Sequence, residues 1–239
     1  MPNELLSRYD LMWRDAVRRL QDGQYELDPL INSRNDTRRG VTALAYLKSN
    51  PYLTKEIGDF LTELKRSEPR QYFYPESDLH LTVLSIISCE PGLRLGELDR
   101  EAYSKTFRRA VQNAGSIKIH FRGVTASPSC ILIQGFPEGE GLGRIRDRLR
   151  EAFGASGLKT SIDARYKVST AHATVLRFRS PIRDAELLLK TLSPYRAHHF
   201  GTLEVDEVGL VFNNWYQNQW ATTPLSCAGL GNTKEHTSF

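Results

Sequence analysis

The sequence predicts an α+β protein with two pseudo-symmetric antiparallel sheets, flanked by helices around a central cleft, and an N-terminal helical extension. The chain has 239 residues, 40% of them hydrophobic, which is enough for one large domain or two small lobes. Segments with strand and helix periodicity alternate along it. The phrase His-x-Thr-Val occurs twice, as HLTV at 80–83 and HATV at 172–175. Together these observations indicate a duplicated, two-lobed fold.

The N-terminal segment, 1–40, is predicted to be the helical extension. Between Leu5 and Leu20 apolar residues recur at intervals of three and four, which is typical of an amphipathic helix. A polar segment, SRNDTRRG, follows that helix. The remaining residues, 41–239, are assigned to the duplicated domain.

The first half of the duplicated domain is predicted to run strand, helix, strand, helix, strand. VTALAYL forms the first strand, and the helix after it has Thr54 as its expected N-cap. The strand with His80 comes next, then a helix from about Leu98 to Ala114, then the strand SIKIHFRGV.

The second half repeats this order about ninety residues later. CILIQGF, KVSTAHATVLRF and LEVDEVGLVF are the predicted strands, and GLGRIRDRLREAFG and IRDAELLLKTL are the predicted helices. The basic residues of the first of these helices are expected on a solvated face. Because the two His-x-Thr strands hold equivalent places, their likeness indicates a duplication.

The two motifs are expected to share one site. Side chains alternate along a strand, so His80 and Thr82 point the same way, about 6.6 Å apart. The same holds for His172 and Thr174. A single histidine in such a strand is more often a structural residue bonded to a carbonyl, but paired equivalent positions favour a functional site. Across a groove, two imidazoles and two hydroxyls would suit a phosphate.

These residue types match the needs of phosphodiester cleavage. The reaction requires a base, an acid for the leaving oxygen, and donors for the non-bridging oxygens. Histidine has an ordinary pKa near 6.5, so a pair can supply a neutral base and a charged acid. Threonine hydroxyls can donate without adding charge. The set requires no metal, and we expect no cofactor.

The two motifs, with the approach FYPESDLHLTVLSI, resemble those of the 2H phosphoesterase superfamily, which includes bacterial 2',3'-cyclic phosphodiesterases also called 2'-5' RNA ligases. The resemblance covers about Val41 to Leu225. It implies a two-lobed fold and metal-independent hydrolysis of a 2',3'-cyclic phosphate or related phosphodiester on a nucleotide or RNA end. It also implies that the histidines are the acid and base, and that the threonines clamp phosphate. These are His80 and His172, with Thr82 and Thr174.

Aromatic residues flank both motif regions. Tyr72 and Tyr74 precede the first motif, and FNNWYQNQW contains Phe212, Trp215, Tyr216 and Trp220. Either cluster could stack a nucleobase or pack in the core, and core packing is the commoner role. Tyr74 and Trp215 are retained as substrate-binding candidates.

Basic residues near the second motif could bind an anionic substrate. Arg165, Tyr166 and Lys167 precede it, and Tyr166 and Lys167 are candidate substrate-binding residues. Arg177 follows the motif but belongs to the back face of a regular strand, unless a bulge turns it round.

Other functions stay open at this stage. A catalytically idle module that binds RNA or a nucleotide would keep the same cleft, and a non-nucleotide cyclic phosphate is a third possibility. The adjacent pair His198 and His199 lacks the spacing of a metal motif, so a metal site is a minority interpretation.

Composition sets the remaining expectations. The net charge of +4 favours anionic partners without requiring nucleic acid. No apolar run approaches the length of a membrane span, and the N-terminus does not resemble a signal peptide. Three widely spaced cysteines predict buried thiols in a reducing compartment. We therefore expect a cytoplasmic monomer without membrane contact.

Overall fold

The computed structural model describes residues 2–31, 33–164 and 167–231. The helices are α1 (Pro2–Gln21), α2 (Pro51–Ser67), α3 (Arg100–Val111), α4 (Gly141–Gly154) and α5 (Ala185–Leu192). The strands are β1 (Arg38–Tyr46), β2 (Tyr72–Phe73), β3 (His80–Pro91), β4 (Ile117–Ser127), β5 (Cys130–Pro137), β6 (Ala173–Arg177), β7 (His199–Val205), β8 (Glu207–Asn214) and β9 (Thr223–Gly229). Among these residues no helix is long and apolar enough to cross a bilayer.

The strands form two sheets, as the sequence predicts. One has the order β3-β1-β8-β9 and the other the order β2-β6-β5-β4-β7. Neighbouring strands are antiparallel throughout both sheets. The prediction of an α+β fold with two antiparallel sheets is confirmed.

The two halves of the chain exchange strands. β4, which ends the first half, pairs with β5 in the second sheet, while β8 from the second half pairs with β1 in the first. The order β3-β1-β8 therefore corresponds to β6-β5-β4. LEVDEVGLVF, predicted as one strand, is divided at Asp206 between β7 and β8, because its two parts belong to different sheets.

Helix α2 begins earlier than predicted. Its N-cap is Asn50, whose side chain accepts a hydrogen bond from the Leu53 amide at 3.1 Å, and Pro51 occupies the first turn. Thr54 lies inside the helix, where its hydroxyl donates to Glu76 at 2.8 Å. The assignment of Thr54 as the cap is therefore wrong, because Asn50 supplies the oxygen that the first turn needs.

Helix α1 packs onto the second sheet through Tyr9. This tyrosine is fully buried, and its hydroxyl donates to the Gly135 carbonyl at 3.1 Å. The same hydroxyl accepts from the amides of Gly135 at 3.3 Å and Ala171 at 3.1 Å. Burial raises the pKa of Tyr9 to about 12. Helix α1 is thus bound to the residue before His172, and the division of the chain at residue 40 stays a prediction.

We expect Tyr9→Phe to destabilise the protein by about 1–3 kcal/mol, because it leaves two amides and a carbonyl without this partner in a buried position. Urea denaturation monitored by circular dichroism measures the change. Leu11→Ala, on the exposed face of the same helix, is the control and is expected to change stability by less than about 0.5 kcal/mol. Equal stabilities of the two variants would contradict this role of Tyr9.

Candidate active site

The two motifs line one cavity of about 170 Å³, to which both sheets contribute. His80 and Thr82 lie on β3, at one edge of the first sheet. Thr174 lies on β6 of the second sheet, and His172 immediately precedes that strand. The structure therefore brings the four motif side chains to one volume, while their chemical roles stay predictions.

His80 is held as a neutral ring with a defined tautomer. Its Nδ1 lies 2.7 Å from the backbone carbonyl oxygen of Asp78. A carbonyl can only accept, so Nδ1 carries the hydrogen and Nε2 keeps its lone pair. Burial lowers the pKa of His80 below its ordinary value. In this state Nε2 can accept a proton at neutral pH.

The turn beneath His80 is fixed by the Asp78 carboxylate. That carboxylate accepts hydrogen bonds from the Asn218 side chain at 3.0 Å and from the Gln219 amide at 3.1 Å. Asp78 is almost fully buried. The segment after β8 thereby orients the carbonyl that sets the tautomer of His80.

His172 is also a neutral ring at neutral pH. Its Nδ1 lies 2.8 Å from the hydroxyl oxygen of Thr170. Burial lowers the pKa of His172 to about 4, and the positive charges of Arg146 and Arg177 and the proximity of His80 act in the same direction. The sequence predicts one charged histidine, and His172 could carry that charge at neutral pH only if an anion bound beside it and raised its pKa.

Arg177 faces the cavity, in contrast to its expected place on the back face. Thr174 is opposite Leu132 and Leu176 is opposite Ile131, so β6 has one extra residue at this point. This bulge turns Arg177 towards the same side as Thr174. Arg177 Nε donates to the Tyr74 hydroxyl at 2.9 Å, and no described residue accepts from its terminal nitrogens. Those nitrogens are available to an anion.

Two serines that the motifs alone did not predict as site residues extend the first motif along β3. Thr82, Ser85 and Ser88 all line the cavity, although alternation would place Ser85 on the opposite face. Shifts in the pairing of β1 with β3 put the three hydroxyls on one side. The three-residue interval of polar residues in an apolar strand was the available signal.

Arg146 is buried in α4, so its assignment to a solvated face is wrong. Its Nε donates to the Val83 carbonyl at 2.8 Å, and one terminal nitrogen donates to the carbonyls of Thr82 at 3.2 Å and Thr170 at 2.7 Å. Burial lowers the pKa of Arg146 to about 10, so it stays charged at neutral pH. It lies beside Leu142 and Leu149 on the buried face of the helix, a spacing that the sequence already contained.

Two of the remaining candidate substrate-binding residues reach the cavity. Tyr74 is buried and Trp215 is partly buried, and both line it. Lys167 is exposed and does not contribute to the lining, although its neighbour Val168 does. Tyr166, with Arg165, lies outside the described residues.

The other aromatic candidates divide between core and surface. Phe212 and Tyr216 are buried, and Tyr72 is buried with its hydroxyl accepting from Asn218 at 2.7 Å. Trp220 is 79% exposed. None of these four is part of the cavity lining.

Within the described ranges, no group of three or more His, Cys, Asp or Glu side chains could hold a metal ion. His198 Nε2 lies 3.3 Å from a carboxylate oxygen of Glu56, and His199 is exposed. The cysteines form no disulfide. Cys227 is exposed, which corrects the expectation that all three thiols are buried.

Searches of family models and of curated proteins find no match. Solved structures do match. TT0787 of Thermus thermophilus aligns with a TM-score of 0.55 at 17% identity, over 82% of this chain and 99% of its own. E. coli LigT complexed with 3'-AMP aligns with a TM-score of 0.55 at 14% identity and the same coverage. A conserved Agrobacterium tumefaciens protein of unknown function, ATU0111, aligns with a TM-score of 0.56 at 14% identity, over 90% of this chain and 98% of its own.

These neighbours define the fold class. TT0787 and LigT are each covered over 99% of their own length, so the likeness extends over the whole of both folds. The chain therefore shares the fold of TT0787 and LigT, with the two antiparallel sheets that the sequence predicts. At these identities the likeness concerns the fold.

We expect protonation of His172 to destabilise the folded protein. Its folded-state pKa, about 4, lies below the ordinary value of 6.5, so the unfolded chain binds the extra proton first as the pH falls. The contribution of the neutral ring to stability is complete above about pH 6.5 and is lost as the pH approaches 4. Between pH 7 and 4.5, the free energy of unfolding measured with urea should fall by about 2 kcal/mol less in His172→Asn than in wild type. His199→Asn, at an exposed position, should lose as much as wild type; a pH dependence of His172→Asn equal to that of wild type would refute the shift.

We expect Arg146→Lys to cost about 1–3 kcal/mol of stability and to weaken binding of inorganic phosphate, because an ammonium cannot reach all three carbonyls at once. Denaturation and calorimetric titration with phosphate measure the two effects. Arg144→Lys changes an exposed arginine of the same helix and should leave both quantities unchanged. Equal behaviour of the two variants would count against the bridging role.

Proposed function

We propose that the protein is a metal-independent phosphodiesterase that hydrolyses a 2',3'-cyclic phosphate or related phosphodiester on a nucleotide or RNA end. The single observation behind the proposal is the meeting of His80, Thr82, His172, Thr174 and Arg177 around one cavity. The fold likeness to phosphoesterases agrees with it. The crystal complex of LigT with 3'-AMP is in accord with a nucleotide ligand here too.

In the proposed mechanism His80 is the base and His172 is the acid. His80 Nε2, free of the carbonyl that holds Nδ1, takes a proton from water as the water oxygen forms a bond to phosphorus. The bond from phosphorus to the 2' or 3' oxygen breaks, and that oxygen receives the proton of His172. One water is consumed, and the product is a phosphomonoester with a free hydroxyl.

In the proposed mechanism the negative charge of the substrate raises the low pKa of His172. Burial and the two nearby arginines keep this ring neutral at neutral pH. A phosphate anion between the histidines would raise the pKa of His172 and load it with the required proton. Arg177 and the two threonine hydroxyls would hold the non-bridging oxygens as negative charge develops.

The depressed pKa of His172 also favours one alternative, a catalytically idle module that binds a nucleotide or RNA end. With a pKa of about 4, His172 carries little positive charge at neutral pH until an anion binds. If the bound anion fails to restore the proton, the cavity binds a phosphate without cleaving it. Turnover separates the two functions.

We expect His80→Ala and His172→Ala each to reduce turnover by about a hundredfold or more, since acid or base catalysis commonly contributes this much. Thr82→Ala and Thr174→Ala should cost on the order of tenfold to a few hundredfold, because other donors remain. Chromatographic assays of ring opening, on a panel of 2',3'-cyclic nucleotides, RNA ends and ADP-ribose cyclic phosphate with EDTA present, measure these effects. The rate should depend on pH in a bell-shaped manner.

His120→Ala is the matched control, because His120 lies outside this cavity, and it should retain the wild-type rate. Wild-type rates in both motif variants would make the two histidines structural and end the enzyme proposal. Nucleotide binding without turnover, weakened by the four motif substitutions, would establish the idle module in its place. Loss of activity in EDTA, restored by a divalent ion, would instead indicate a metallohydrolase.

A further inference from the structure

Two buried amide oxygens beside the cavity lack hydrogen-bond donors. They are Oδ1 of Asn213, on β8, and Oε1 of Gln217, in the turn after it. Their side chains line the same cavity as the motif histidines, and the residues are 0% and 7% exposed. Among the described residues these are the buried side-chain oxygens for which no partner is found.

The orientation of the Asn213 amide is fixed by its neighbours. Its nitrogen donates to the Asn214 carbonyl at 2.8 Å, and a carbonyl cannot donate in return. The Oδ1 atom is therefore the acceptor that is left without a hydrogen-bond donor. In Gln217 the nitrogen donates to the Thr42 hydroxyl at 3.1 Å, and Oε1 is left without a donor.

Such oxygens are costly in an apolar interior, so their place beside a cavity needs an explanation. A buried acceptor without a donor costs about 1–3 kcal/mol, and native proteins contain few of them. A donor supplied by a ligand would remove that cost on binding. The two oxygens accept only, so they call for N–H or O–H groups on the ligand.

Strand register gives the order of these two residues along the sheet, relative to the motifs. On β1, Leu44 is opposite Thr82, Thr42 is opposite Ser85, and Gly40 is opposite Asn213. At 3.3 Å per residue, Thr42 lies about 7 Å and Gly40 about 13 Å along the strand from the level of Thr82. Thr42, which binds Gln217, and Gly40, which is opposite Asn213, therefore lie at increasing distances from the motifs.

An aromatic ring also lines the cavity. Trp215 lies in sequence between the two amides, and its ring centroid is 5.7 Å from the guanidinium carbon of Arg177. The cavity therefore provides a cation for an anion, an indole for a flat ring, and acceptors for a donor edge. These are the requirements of a phosphate, a base and an exocyclic amine.

We propose that Asn213 and Gln217 form a subsite for the amino group of a nucleobase and make the enzyme prefer cyclic phosphates of amino-bearing bases over uridine. The inference rests on the proposed function. Uracil presents a carbonyl where cytosine presents an amine, and a carbonyl facing amide oxygens leaves both acceptors without donors. A site built for a donor discriminates strongly against an analogue that lacks it.

The matched substrates are cytidine and uridine 2',3'-cyclic phosphate, which differ at that amine. The wild-type kcat/KM should favour cytidine by about tenfold or more. Asn213→Leu and Gln217→Leu should each move the ratio towards one, mainly by loss on cytidine. Gln24→Leu changes an exposed glutamine outside the cavity lining; it is the control and should keep the wild-type ratio. Thermal melting checks that the variants fold.

Calorimetric binding of cytidine and uridine 2'-monophosphates and of inorganic phosphate separates the inference from the enzyme proposal. Preferential binding of the cytidine nucleotide without turnover supports the subsite and ends the enzyme proposal. Equal wild-type constants for the two bases, whether or not the leucine variants fold, overturn the subsite and leave the enzyme proposal standing. An unchanged preference in both folded leucine variants also overturns it and would mean that water satisfies the two oxygens.

Discussion

A single buried guanidinium, that of Arg146, joins the two sheets at the point where the chemistry is expected. It donates to carbonyls of β3, an edge strand, and to the carbonyl of Thr170 just before His172. The edge carbonyls have no neighbouring strand on that side, so the side chain replaces a ladder partner. Its charge is also felt by His172, whose pKa it helps to lower. Arg146 therefore links the two motif segments and adds positive charge at the cavity for which we propose an anionic ligand.

The segment that carries His172 is held from a second side by Tyr9 and β5. The Tyr9 hydroxyl accepts from the Ala171 amide, while Arg146 binds the carbonyl of the residue before it. The β5 backbone approaches closely enough that a side chain at Gly135 would place its Cβ 1.8 Å from the Ala171 carbonyl oxygen. These contacts explain how His172 is positioned although the regular strand begins only at Ala173. In the proposed mechanism, preorganisation of this kind would keep His172 in place without cost during the reaction.

The sequence predicted the features that depend on periodicity, and it failed where neighbouring strands altered that periodicity. Alternation was enough to place His80 with Thr82, because both follow the regular start of β3. It misplaced Arg177 and overlooked Ser85, since both positions depend on bulges that arise from pairing with another strand. Arg146 was assigned to solvent from its charge, although its spacing placed it on the apolar face. The exchange of β4 and β8 was beyond local patterns, because pairing partners are chosen in three dimensions.

That exchange has a consequence for how the protein assembles itself. The inner strand β1 has a neighbour from the other half of the chain, and so does β5. Neither half can complete its own sheet, so each alone would expose an unpaired edge to aggregation. The native state should therefore unfold in one cooperative transition, with no folded half surviving as an intermediate. A duplication interlocked in this way makes the folding of each copy depend on the other.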